Sequence, residues 1–195
     1  MDLPRNVADL RARVRDGERF HYRLFYGHKH RPEDVLSDVV FSQFYPCLFE
    51  IDGQTYYWAE QWMMASKARA FGDRDAETRI LAAQHPVECK HIGRQVRDFD
   101  DKRWKQLRYA IVLAGNYAKF SQDAGFSAYM VGTGDAVLVE AAPTDRIWGI
   151  GLSRTAADAR DPLKWRGQNL LGFALMDVRS MLLGDAPPPD PVRFS

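Results

Sequence analysis

A single, mostly helical α+β domain with a small β-sheet is the fold class this sequence predicts. Three observations carry it. Helical periodicity dominates 58–131 and returns over 169–183, strand-like runs are few and short, and an Asp-Gly pair separates two of them. The chain has 195 residues, 46% hydrophobic and 12% aromatic, which is globular composition with enough length for one sizeable core. The organisation predicted is an N-terminal helix, strand and loop extension (1–40), a main domain (41–184) and a proline-rich tail (185–195).

Residues 4–15 predict a helix, with Pro4 in its first turn and Val7, Leu10 and Val14 on one face. Residues 20–26 (F-H-Y-R-L-F-Y) alternate as a strand does, and the polar, proline-containing stretch 28–38 reads as a loop. Residues 47–58 predict a hairpin turning at Asp52-Gly53. Helices follow over 58–71 and 74–84, then a short one opening at Pro86 and a long one over 101–120, where Trp104, Leu107, Ile111 and Val112 share a face. A further helix is predicted over 121–131, a strand over 136–142, and a closing amphipathic helix over 169–183 carrying Leu171, Leu175, Val178 and Leu182. The A-P-P-P-D-P-V-R-F-S tail predicts extended chain.

The formal net charge of +1 gives no global reason to expect nucleic acid or an anionic membrane as partner. Cys47 and Cys89 have neither metal-ligand spacing nor the makings of a disulfide framework. With no leader-like or long apolar run, the expected location is the cytoplasm. His28-Lys29-His30 lacks further ligands at metal spacing, and His21, His85 and His91 are isolated. No metal site, phosphate-cradling glycine loop or Ser-His-Asp order is present, so neither a metal nor a cofactor is expected.

Six stretches could carry chemistry. The richest is V-E-A-A-P-T-D-R-I-W-G-I-G-L (139–152): a strand bearing Glu140 ends in a tight turn that places Asp145 and Trp148 at its mouth. A carboxylate beside an indole suits a flat base and the bond attached to it. On the helix W-A-E-Q-W-M-M-A-S-K-A, Glu60 and Lys67 share a face two turns apart, with Met63 or Met64 between them. That pairing is either a solvated edge or a pocket rim. The surrounding Trp58, Trp62, Met63 and Met64 favour the rim, where a desolvated lysine becomes a nucleophile or Schiff-base former.

The other stretches are weaker. In F-S-Q-F-Y-P (41–46), Gln43 could read the polar edge of a ring clamped by aromatics, although taken alone the aromatics read better as core plugs. In C-K-H-I-G-R-Q-V (89–96), Lys90 and Arg94 suit an anion and Gly93 allows close approach, while a basic surface face is the commoner reading. Lys119 closes the long helix, where offsetting the macrodipole accounts for it without a ligand. Asn169 can cap the last helix, and Gly172 inside that helix implies close packing against another element or a ligand.

Taken in order, F-S-Q-F-Y-P, D-G-x-x-Y-x-x-x-E-Q-x-M-M-A-x-K-A, F-G-D, G-R-x-V, A-K-F, L-V-E-A-x-P-x-D-x-x-W-G-I-G and N-L-L-G resemble the NADAR family, the YbiA-like N-glycosidases linked to riboflavin biosynthesis. The resemblance spans 41–183. It implies hydrolysis of an N-glycosidic bond between ribose and a base-like amine. In the YbiA-like branch the substrates are phosphorylated ribosylamino-pyrimidine intermediates of riboflavin synthesis. Other members remove ADP-ribose from modified guanine in nucleic acid, and a non-catalytic ADP-ribose or NAD-binding module is a third reading.

The family's functional positions map onto Glu60, Lys67, Asp145, Trp148 and Asn169, and position 43 is glutamine where some members carry asparagine. The expected catalytic set is Glu60, Lys67, Asp145 and Trp148, with Gln43, Arg94, Trp104, Lys119 and Asn169 binding substrate. The expected partner is a small ribosylated base or an ADP-ribosylated substrate. Nucleic acid enters only as substrate, and no membrane partner is expected.

Overall fold

The computed structural model describes residues 3–27 and 35–194. Residues 28–34, which hold most of the predicted polar loop and the His28-Lys29-His30 group, lie outside the described residues. Among the described residues are seven α-helices and four strands, the mostly helical α+β class that the periodicity predicts. The chain forms two compact units: Met1–Ser42 with Ala128–Ala186, and Gln43–Ser127 with Pro187–Ser195.

The first unit is built on a parallel pair. Strand β1 (Tyr22–Phe25) lies beside β4 (Val137–Glu140), in register from Tyr22 opposite Val137 to Phe25 opposite Glu140. Val137, Leu138 and Val139 are fully buried, the continuous apolar run that a covered parallel strand requires. Helix α1 (Val7–Arg15) starts where the Asn6 side chain accepts the Ala8 and Asp9 N–H groups, and Arg11 ties it to the Pro162 and Trp165 carbonyls at 2.9 and 2.6 Å.

Helix α7 (Leu170–Leu183) packs on β4. It is buried on more than the predicted stripe, since Phe173, Ala174 and Met176 join Leu171, Leu175 and Val178 in the core. Buried Arg179 on the same helix donates to Thr133 Oγ1 at 2.7 Å and to the Ala136 carbonyl at 2.9 Å, pinning the turn that feeds β4.

The second unit surrounds α2 (Ala59–Ala70), which packs against α3 (Arg74–Ala82), α4 (Pro86–Gly93) and α5 (Asp101–Ser121). That crowding explains why ten of its residues, polar ones included, are buried. Two glycines permit it. A Cβ on Gly115 would stand 2.2 Å from Trp62 Cδ1, and the indole N–H beside it donates to the Ile111 carbonyl at 2.7 Å. A Cβ on Gly93 would stand 2.1 Å from Met64 Sδ.

The hairpin of β2 (Phe49–Ile51) and β3 (Gln54–Tyr56) turns at Asp52 and Gly53, both at positive φ (52° and 76°), as a two-residue turn of this hand requires. Helix α6 (Ala124–Val131) carries the chain from the second unit into the first.

Gly172 has the tightest surroundings in the first unit. A Cβ there would stand 2.0 Å from the Leu138 carbonyl oxygen, a backbone atom with no rotamer to yield. Gly172→Ala should therefore destabilise by about 3 kcal/mol in denaturant unfolding. Gly134→Ala meets nothing within 4 Å and carries only the strain of φ +61°, so its expected cost is about 1 kcal/mol. Equal costs at the two positions would refute this account of the α7–β4 contact.

Candidate functional site

In the second unit, Glu60 and Lys67 lie on the α2 stripe that faces α4. Glu60 is 5% exposed in the first turn, where its N–H donates to the Gln43 carbonyl at 3.0 Å. Its charge helps raise the thiol of buried Cys89 on α4, after burial itself. Met64 sits between them against Gly93. One turn on, Lys67 Nζ donates to the Gly93 carbonyl at 2.7 Å and lies 4.1 Å from the Phe99 ring centroid and 5.8 Å from that of Trp104. Burial lowers the pKa of this half-buried amine. A carboxylate and a partly desolvated amine thus share one helix face, with Trp104 walling the amine.

Three expectations change here. Gly93 serves helix packing rather than an anion, because Met64 fills the space that its missing side chain leaves. Arg94 is exposed at the C-cap of α4, a surface position rather than part of the α2 face that carries Glu60 and Lys67. Lys119 is not a surface lysine at a helix end. It is fully buried, its Nζ 5.5 Å from the Tyr45 centroid and 5.1 Å from that of Phe120, and burial lowers its pKa to about 8. Burial pushes the nearby Cys47 thiol up, opposed by the Lys119 ammonium and the Ala59 N–H.

The aromatics around Gln43 are core plugs rather than a clamp. Phe41 packs on Phe25 and Tyr129 in the first unit, while Tyr45 packs on Phe126 in the second. Gln43 itself donates from Nε2 to Asn116 Oδ1 at 3.0 Å, and its buried Oε1 has no hydrogen-bond partner among the described residues.

The first unit contributes Asp145, Trp148 and Asn169. Asp145 Oδ1 accepts the Ile147 and Trp148 N–H groups, both at 2.8 Å, which closes the turn after β4 and fixes the backbone of half-buried Trp148. Asn169 does not cap α7 with its side chain. Its backbone is left-handed (φ 53°, ψ 35°), and its carboxamide turns to β4, donating to the Leu138 carbonyl and accepting from the Glu140 N–H, both at 2.9 Å. It therefore positions the strand that carries Glu140.

The sequence reading gave no role to Glu140, Arg108 or Asn116. Glu140 is half-buried on a backbone held by Asn169 and by Ile150, whose N–H donates to its carbonyl at 2.9 Å. Arg108 is 8% exposed and Asn116 fully buried on the inner face of α5. The signal for both was the four-residue spacing Trp104, Arg108, Val112, Asn116, which sets polar side chains on the apolar stripe.

Comparison with known proteins places the chain in a family. An N-glycosidase of Acanthamoeba polyphaga mimivirus is 40% identical over 72% of this chain and 85% of its own length. The N-glycosidase YbiA of Escherichia coli is 28% identical over 73% of this chain and 80% of its own. The NMR structure of YbiA superposes with a TM-score of 0.67 at 26% identity, covering 86% of this chain and 88% of that one. A riboflavin biosynthesis protein of Vibrio vulnificus is 27% identical over 75% of this chain but only 36% of its own length. No helix among the described residues is long and apolar enough to cross a membrane.

The unusual titration of Lys119 is directly testable. Its folded pKa of about 8 lies below the ordinary lysine value of about 10.4, so the unfolded chain binds the proton more readily in between. This group's contribution to stability therefore rises as pH climbs from about 8 to about 10. Wild type should gain stability relative to Lys119→Met across that window in denaturant melts. A difference independent of pH would refute the assignment. The NADAR domain model matches residues 24–183, beginning inside β1, and with these relatives it shows that the chain belongs to the NADAR family.

Proposed function

We propose that this NADAR-family hydrolase of N-glycosidic bonds cleaves the ribose–amine bond of a phosphorylated ribosylamino-pyrimidine. The observation that carries the reading is the shared α2 face, with buried Glu60 and, two turns on, a Lys67 amine whose pKa is lowered by burial. The names of relatives support the substrate class, one being a riboflavin biosynthesis protein and others N-glycosidases.

Breaking such a bond requires the amine to depart while positive charge gathers on the anomeric carbon of the sugar. A carboxylate stabilises that charge, and a second group moves the proton or activates water. In this proposal Glu60 and Asp145 take these two jobs and Trp148 stacks on the pyrimidine. Asp145 holds its turn through Oδ1, and Oδ2 takes no part in that turn. Lys67 either binds the phosphate or traps the opened sugar as a Schiff base.

Glu60→Gln, Lys67→Ala and Asp145→Asn should each lower kcat/KM on the ribosylamino-pyrimidine phosphate by about a hundredfold or more. Asn at position 145 can still accept both turn N–H groups, so the loss there should not come from unfolding. Near-wild-type turnover by all three variants would remove the proposal. Borohydride added during turnover separates the two roles of Lys67, since only a Schiff base leaves a covalent adduct on it. Parallel incubation with ADP-ribosylated DNA distinguishes the substrate class. Release of ADP-ribose there, with no cleavage of the pyrimidine riboside, would reassign the enzyme.

A further inference from the structure

The two carboxamides at Gln43 and Asn116 have a sense of direction, and that sense selects a ligand. The Val112 carbonyl can only accept, so the Asn116 atom 2.8 Å away must be its amino group Nδ2. Asn116 Oδ1 is then the atom facing Gln43, and it too can only accept. The Gln43 atom 3.0 Å away must therefore be Nε2. Neither amide can turn over without setting donor against donor or acceptor against acceptor. Gln43 is consequently fixed with Oε1 directed away from Asn116, as a buried acceptor that no group among the described residues fills.

An unfilled buried acceptor is costly, and native proteins rarely keep one without a use for it. This one belongs to half-buried Gln43, whose backbone carbonyl accepts the N–H of Glu60, so the residue bearing the acceptor and the candidate acid are joined by one backbone bond. Resting on the N-glycosidase reading, we infer that Gln43 is a specificity-determining residue whose Oε1 accepts from an N–H or amino group on the substrate's base. Asn116 is the positioning residue that holds it in that sense. The site then prefers a heterocycle bearing amines to one offering only ring lone pairs, because a lone pair set against Oε1 leaves both unsatisfied.

Binding of free bases tests this apart from catalysis. NMR-monitored titration of the wild-type protein with triaminopyrimidine and with unsubstituted pyrimidine should show at least a tenfold preference (about the discrimination one buried hydrogen bond provides) for the amino-bearing base. Gln43→Met, of similar length and without the acceptor, should bring the ratio close to one. Asn116→Leu should weaken the preference by freeing the Gln43 amide to turn over. Asn116→Asp, titrated at a pH low enough to keep its carboxyl neutral, can still donate to the Val112 carbonyl and accept from Nε2, and should retain it.

A purely packing role for Asn116 would not produce that split between the two Asn116 variants. Should Asn116→Leu fail to fold in a thermal melt, Gln43→Met decides alone. A wild type without preference, or a folded Gln43→Met that keeps it, overturns the inference. Wild-type failure to hydrolyse the ribosylamino-pyrimidine phosphate would count against the proposed function while leaving this binding preference standing.

Discussion

Among the described residues each β-sheet has two strands, and in both a side-chain carboxamide supplies hydrogen bonds that a third strand would otherwise make. Asn169 donates to Leu138 and accepts from Glu140 on β4, while Gln122 at the end of α5 accepts from the Glu50 N–H and donates to its carbonyl on β2, both at 2.8 Å. A carboxamide has the donor and acceptor of a peptide group at nearly the same spacing. It can therefore satisfy a strand edge from a helix terminus, where backbone alone could not reach. The approach must be close for this to work. Glycine at 172 is the consequence, since α7 comes near enough to β4 that a methyl group would overlap the Leu138 carbonyl.

The same economy governs the inner face of α5. A helix packed against α2 and the hairpin would ordinarily present only apolar side chains, yet this one buries Arg108, Asn116 and Lys119. Their desolvation opposes folding, and fully buried lysines are rare for that reason. Aromatic rings around Lys119 recover part of the cost through their quadrupoles. Asn116 is held by the Val112 carbonyl and in turn holds Gln43. Polar groups kept at such expense are better explained by what they orient than by what they stabilise.

Elements were legible because periodicity and turn chemistry are local. Asp52-Gly53 and Pro86 opening α4 each state their conformation within a few residues, whereas α1 opens after its Asn6 cap and leaves Pro4 outside the first turn where it was expected. Side-chain destinations were not legible, because they depend on what arrives from elsewhere in the chain. Asn169 occupies a cap position, but its amide goes to a strand some thirty residues earlier. Lys119 stands at a helix end whose dipole would account for it in solvent, and only the rings of Tyr45 and Phe120 reveal that it is inside. Gly93 looked like room for an anion until Met64 was found in that room. The Glu60–Lys67 stripe was readable since it lies on one helix and needs only the helical repeat.

The parallel pairing of β1 with β4 joins residues more than a hundred positions apart, and most of the intervening chain belongs to the other unit. During synthesis, then, β1 leaves the ribosome long before its partner exists. The helices around α2 can gather first, because their contacts lie close together along the chain. Only when α7 has emerged, bringing Asn169 and Gly172, can the sheet be sealed. A nascent chain halted before that helix would hold the gathered helices around α2 and an unsealed pair of strands, exposed to whatever unpaired edge they meet.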